Sequence, residues 1–166
     1  TAAALLARVT AVDLEAMLAD HADFEPALSA SVAAAVVTAR PATTGGFADA
    51  VLAVAAPEGR AAPGSEAARA QNALVARAMQ AVRIAVNDEY GALDKLLAEL
   101  PEILAPGARA AFLTFHSGED RRVKKAFQAG FRAGVYSAWS RTPTRAGPDE
   151  RRANSRATCA KLRWAE

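Results

Sequence analysis

The sequence predicts an α/β fold, and three observations carry that expectation. Apolar residues recur at helical spacing over most of the chain. One short apolar run, Ala108 to Phe115, lies between a Pro-Gly turn and polar residues, as a buried strand does. A helix, a turn and that strand follow one another in the order of an α/β unit. The 166 residues suffice for one core and are too few for a tandem array.

Taken in order, Leu5, Leu6 and Val9 precede a break, and Leu14, Met17 and Leu18 follow Thr10, a candidate N-cap. Pro26 to Arg40 carries Leu28, Val32, Ala35 and Val36 at helical spacing, and Pro41 ends it. Thr43, Thr44 and Gly45 restart the chain into a short helix with Phe47, Val51, Leu52 and Val54. The Pro, Gly and Ala content of Pro57 to Gly64 marks the best linker candidate and the expected site of mobility. After Ser65 a long helix carries Leu74, Val75, Met79, Val82 and Val86 on one stripe. Asn87-Asp88-Glu89-Tyr90 reads as a helix break. A second helix runs from Leu93 to Leu104 and stops at Pro106-Gly107. Beyond the strand, Gly118 to Phe127 reads as a helix. Val135 to Arg141 and Cys159 to Trp164 read as strands, and Thr142 to Ala153 as a loop.

Charge divides the chain. Residues 1 to 75 hold four basic and eight acidic side chains, whereas residues 121 to 166 hold twelve basic and three acidic. Clusters such as Arg121-Arg122 with Lys124-Lys125, and Arg151-Arg152, suit either a nucleic-acid contact or a solvated helix face. The 45 alanines make the apolar surface one of small side chains. No apolar run approaches the ~20 residues of a membrane helix. Two distant histidines and one cysteine, Cys159, make zinc improbable and an internal disulfide impossible. No phosphate-binding glycine loop occurs. The opening at Thr1, with no charged leader, reads as the interior of a longer polypeptide.

His116, Ser117, Glu119 and Asp120 follow the expected strand, where α/β folds place chemistry. A hydrolytic triad is a poor reading, because adjacent strand residues face opposite ways and no nucleophile elbow is present. A helix N-cap is the plainer role for Ser117.

Read as strings, the same segments resemble the RsmH (MraW) family of S-adenosylmethionine-dependent methyltransferases, which act on cytosine N4 of small-subunit ribosomal RNA. Gln80 to Glu89 resembles its QALRIAVNDE block, Leu104 to Arg109 its LAPGGR, Phe115 to Arg121 its FHSLEDR, and Ala160 to Arg163 its closing SAKLR. Arg40-Pro41 with Thr43-Thr44 matches a weaker block. The blocks occur in order and cover nearly all of the chain.

The resemblance implies a partial Rossmann-like methyltransferase core with a helical insertion subdomain. Residues 1 to 75 correspond to the substrate-recognition-like insertion, and residues 76 to 166 to the C-terminal part of the core with its basic tail. It places the family's cofactor pocket upstream of Thr1, so no cofactor-binding or metal-binding residue is carried over and the chain alone is expected to be inactive. Candidates for the cleft are Asn87, Asp88, Glu89, His116, Ser117, Glu119 and Asp120. Candidates for RNA contact are Arg121, Arg122, Lys124, Lys125, Arg151, Arg152, Lys161 and Arg163. The partners implied are small-subunit ribosomal RNA and ribosomal proteins or assembly factors, with no membrane.

Several positions depart from the family. Glu25 to Ser31 lacks the arginines of a G-E-E-R type helix, so this acidic stretch should bind RNA less well. The second glycine of LAPGGR is Ala108, the leucine of FHSLEDR is Gly118, and Ala76 to Met79 lacks the aromatic that precedes the family's glutamine. Such divergence suits a mitochondrial-matrix homologue as well as a bacterial cytoplasmic one. Two functions stay open: a methyltransferase chain lacking its cofactor half, and a non-catalytic RNA-docking factor of the small ribosomal subunit.

Overall fold

Short hydroxyl side chains start four of the helices. In the computed structural model, which describes all of residues 1–166, the hydroxyls of Thr1, Thr10, Thr43 and Ser65 accept from the backbone N–H of Ala4, Asp13, Gly46 and Ala68 at 3.0–3.3 Å. Each satisfies a donor that the helix cannot, for about 1 kcal/mol. The helices so begun are α1 (Ala2–Leu6), α2 (Ala11–Ala22), α4 (Thr44–Ala55) and α5 (Glu66–Asn87), with α3 (Pro26–Ala39) opening on a proline. Asp23, Arg40 and Asp88 end α2, α3 and α5 in the left-handed conformation, at φ of 50°, 42° and 49°.

These five helices form one compact unit, Thr1–Asp88. α3 is apolar on nearly all sides, as a central helix is, and packs against α2 and α4. Leu14, Leu18, Val32, Val36 and Val51 are fully enclosed, and Ala33, Ala78 and Ala81 at the same depth let the helix backbones approach closely. The alanine bias of the sequence thus becomes packing. The expected boundary near residue 75 falls inside α5, which is continuous; the chain divides into two compact units after the left-handed Asp88. The Pro57–Gly64 loop, read as the linker, lies within this unit, where Gln71 accepts from Ala61 N–H and donates to the Gly59 carbonyl, both at 3.0 Å.

Two arginines of this unit bind its own carbonyls. Arg40 Nη1 donates to the Leu6 and Val9 carbonyls at 2.9 Å. Arg77 donates from Nε to the Ala22 carbonyl at 2.8 Å and from Nη2 to the Asp23 carbonyl at 2.7 Å, with its guanidinium 5.0 Å over the Phe24 ring. It therefore caps α2 by hydrogen bonding and by charge. Arg77→Ala is expected to cost about 2 kcal/mol, and Arg77→Lys to recover little because an ammonium lacks the fork. Urea unfolding measures both.

The second compact unit, Glu89–Glu166, holds α6 (Glu89–Ile103), β1 (Ala110–Thr114), α7 (Ser117–Arg132), α8 (Pro148–Ala153), a short 3-10 turn (Ser155–Thr158) and β2 (Lys161–Ala165). β1 and β2 pair antiparallel, with Ala110 opposite Ala165, Phe112 opposite Arg163 and Thr114 opposite Lys161 on one face. α7 packs on this sheet and on α6. Val123 and Phe127 of α7 are fully buried, and Phe127 meets Phe112 and Tyr136 edge to face at 5.7 and 5.6 Å. The other face carries Ala111 and Trp164, Leu113 and Leu162; on it Leu113 is 58% exposed, and Phe115, just beyond the strand, is 47% exposed. The unit is thus helix and strand mixed, with a two-stranded sheet.

Val135 to Arg141, expected as a strand, borders β2 through separate backbone hydrogen bonds without forming a continuous strand: Trp139 bridges Ala165, and beyond it Thr144 bridges Leu162. Between them, the Ser140 and Arg141 carbonyls accept from Arg163, and Pro143 has no N–H to give. Pro148 to Ala153, expected as loop, is the short helix α8.

Candidate functional site

The turn from β1 into α7 is built by backbone amides and one carboxylate. His116 is the N-cap of α7 and Ser117 its first residue, so the cap expected of Ser117 lies one residue earlier. Glu119, third in the helix, accepts from the backbone N–H of Phe115 at 3.1 Å and of His116 at 3.4 Å. This is the carboxylate half of a capping box, and it also complements the helix dipole. The His116 imidazole Nδ1 lies 3.6 Å from Glu119, and the side chain is 21% exposed. Glu119 is therefore occupied in holding the turn that presents His116 and Ser117.

Asp120 is occupied as well. Its carboxylate accepts from Arg163 Nε at 2.6 Å and Nη2 at 3.2 Å, and Lys161 Nζ lies 3.6 Å away. Burial pushes the Asp120 pKa up, but the Arg163 hydrogen bond and charge and the Lys161 ammonium outweigh it. The carboxyl is held below its ordinary value of 3.8. Arg163 is 4% exposed and spends its remaining donors on the Ser140 and Arg141 carbonyls. Expected as an RNA contact, Arg163 is instead enclosed between sheet and helix, out of reach of a phosphate. Lys161, expected in the same role, faces Asp120 and is largely covered.

The remaining cations differ in exposure. Arg122 pairs with Asp94 and lies 4.2 Å over the Tyr90 ring, so it too is engaged within the unit. Arg121, Lys125 and Arg132 are exposed on the face of α7 opposite Val123 and Phe127, and Lys124 is exposed on its flank. Arg151 and Arg152 are exposed on α8, with Arg152 paired to Asp149.

The cleft candidates divide between the two units. Asn87 and Asp88 are the exposed last residue and cap of α5 in the first, and Glu89 opens α6 in the second. Within the second unit the structure brings the first turn of α6 against the first turn of α7, where Tyr90 meets Gly118. Sequence reading passed over Tyr90 except as part of a helix break. The signal that could have found it is the glycine at 118, an unhelpful residue in a helix start.

The one turn from strand to helix has its amides taken by Glu119 and contains no glycine before the helix begins. No three histidine, cysteine, aspartate or glutamate side chains converge as metal ligands.

The profile of the MraW methylase family matches residues 1–166. Ribosomal RNA small subunit methyltransferase H 1 of Agathobacter rectalis is 51% identical over 89 residues, which are 54% of this chain and 26% of that protein. Ribosomal RNA small subunit methyltransferase H of Acidobacterium capsulatum is 41% identical over 139 residues, 83% of this chain and 44% of that protein. The protein of the same name from a Synechococcus strain is 52% identical over 90 residues, 54% of this chain and 29% of that protein. The chain thus spans less than half the length of these curated relatives.

Proposed function

This chain belongs to the MraW methylase family, and from that we propose that it is the RNA-facing part of an enzyme that methylates N4 of a cytosine in small-subunit ribosomal RNA. The observation that carries the reading is the layout of α7, which begins at His116 and Ser117 and continues into an exposed basic face. A base presented at the helix start would have its flanking phosphates beside Arg121, Lys124 and Lys125. The relatives' names, which specify methylation of small-subunit ribosomal RNA, support the substrate class. The relatives named are bacterial, which favours a bacterial origin over the organellar one.

S-adenosylmethionine, when bound, would supply the methyl group. The chain's own contribution is to position the acceptor. The exocyclic amine of cytosine is a weak nucleophile, so its lone pair must be aligned and its proton accepted as the bond forms. His116 is the group of the α7 turn suited to that proton, held in place by Glu119. Glu89, which opens α6 in the same unit, is the further polar group proposed to orient the base. Rossmann-like completion of the sheet and assignment of the first unit to substrate recognition belong to the same proposal.

The test is methyl transfer from labelled S-adenosylmethionine to unmodified small-subunit RNA by the whole polypeptide. The expected product is N4-methylcytidine on nucleoside analysis, reduced about 100-fold by His116→Ala with RNA affinity unchanged. Label at another atom would overturn the reading. RNA binding with no transfer would establish the docking-factor alternative.

A further inference from the structure

We infer that Tyr90 is a positioning residue for the His116–Ser117 turn, acting on it through Gly118. A side chain at 118 has no room: a Cβ there would lie 1.8 Å from Tyr90 Oη and 2.7 Å from Cζ. Glycine is less favourable in a helix than alanine, so the sequence keeps it against local preference. A second contact also holds the ring. The Arg122 guanidinium covers it at 4.2 Å, and Arg122 is itself paired with Asp94.

Tyr90 and Asp94 stand one turn apart on α6, and Gly118 and Arg122 one turn apart on α7, so the four residues form a closed square of contacts. Where the family block carries leucine, this chain carries no side chain, and the phenol fills the volume. The Tyr90 oxygen lies against the first turn of α7, at the residue that follows His116 and Ser117 in the chain. That oxygen is buried, so it acts by fixing the turn and not by touching a substrate. The activity it serves rests on the methyltransferase reading; the coupling of Tyr90 to the turn does not.

The experiment uses the whole polypeptide with 13C-labelled histidine, the His116 signals being assigned by His116→Gln. Tyr90→Phe is expected to melt within about 2 °C of the parent. It should lower kcat for methyl transfer about tenfold with KM for RNA unchanged, and shift the His116 imidazole signals. Gly118→Leu is expected to melt about 10 °C lower or to fail to fold, and the double variant Tyr90→Leu with Gly118→Leu to recover the melting temperature without recovering kcat. The inference is overturned if Tyr90→Phe leaves either kcat or the His116 signals at parental values, or if Gly118→Leu melts like the parent. A parent that transfers no methyl group refutes the methyltransferase reading instead, and the His116 signals alone then decide the inference.

Discussion

Asp120→Ala is expected to destabilise the second unit by about 3–5 kcal/mol, the cost of leaving an enclosed charge without its partner. The charge left behind is Arg163, 4% exposed, whose Nε and Nη2 would lose both acceptors while Nη1 stayed on the carbonyls of Ser140 and Arg141. Replacing Asp120 and Arg163 together by apolar residues of similar volume is expected to restore most of the loss, since such a pair contributes little beyond its own desolvation. The same group sets an acid limit. The folded state holds the Asp120 carboxyl below its ordinary value, so the unfolded chain binds that proton more readily. Its contribution is complete above about pH 4 and is lost as pH falls through the lower, folded value. Urea unfolding between about pH 5 and pH 3 should therefore show a stability decline that Asp120→Asn removes.

The second large effect lies on the exposed face of α7. Arg121→Ala, Lys124→Ala and Lys125→Ala together are expected to weaken binding to small-subunit RNA about 100-fold at low salt. The slope of log K against log salt should fall by about 2 to 3. Arg122→Ala is expected to leave that slope unchanged and instead to lower stability, because its guanidinium serves Asp94 and Tyr90. Filter binding over a salt series separates these outcomes. An equal change of slope from Arg122→Ala would mean that its pairing opens to admit a phosphate.

What the sequence discloses is whatever depends on neighbours along the chain. Thr10, Thr43 and Ser65 mark helix starts because a cap reaches only three residues ahead, and Pro26 and Pro41 bracket α3 by local sterics. The β1 run and the α7 start were legible for the same reason. Contacts made at a distance were not. Nothing near Arg163 announces that its partner is Asp120, 43 positions earlier, so a basic residue in a basic tail read as a surface cation. Nothing near Tyr90 announces Gly118. The segment after Val135 has the composition of a strand, but Arg163 and Pro143 disrupt its ladder from outside the local pattern. The site's residues were legible as strings of letters, whereas the division between groups that brace the turn and groups left facing outward required three dimensions.

The two edges of the small sheet are unequal. β2 is bordered on its outer side by residues 137–144, whose amides and carbonyls exchange hydrogen bonds with Leu162, Trp164 and Glu166. β1 has β2 on one side and no strand on the other. Growth of this sheet is consequently one-directional: a further strand can add only alongside Ala110–Thr114, and it would do so where Leu113 and Phe115 already offer apolar surface. The polarity of any larger assembly is thereby written into five residues.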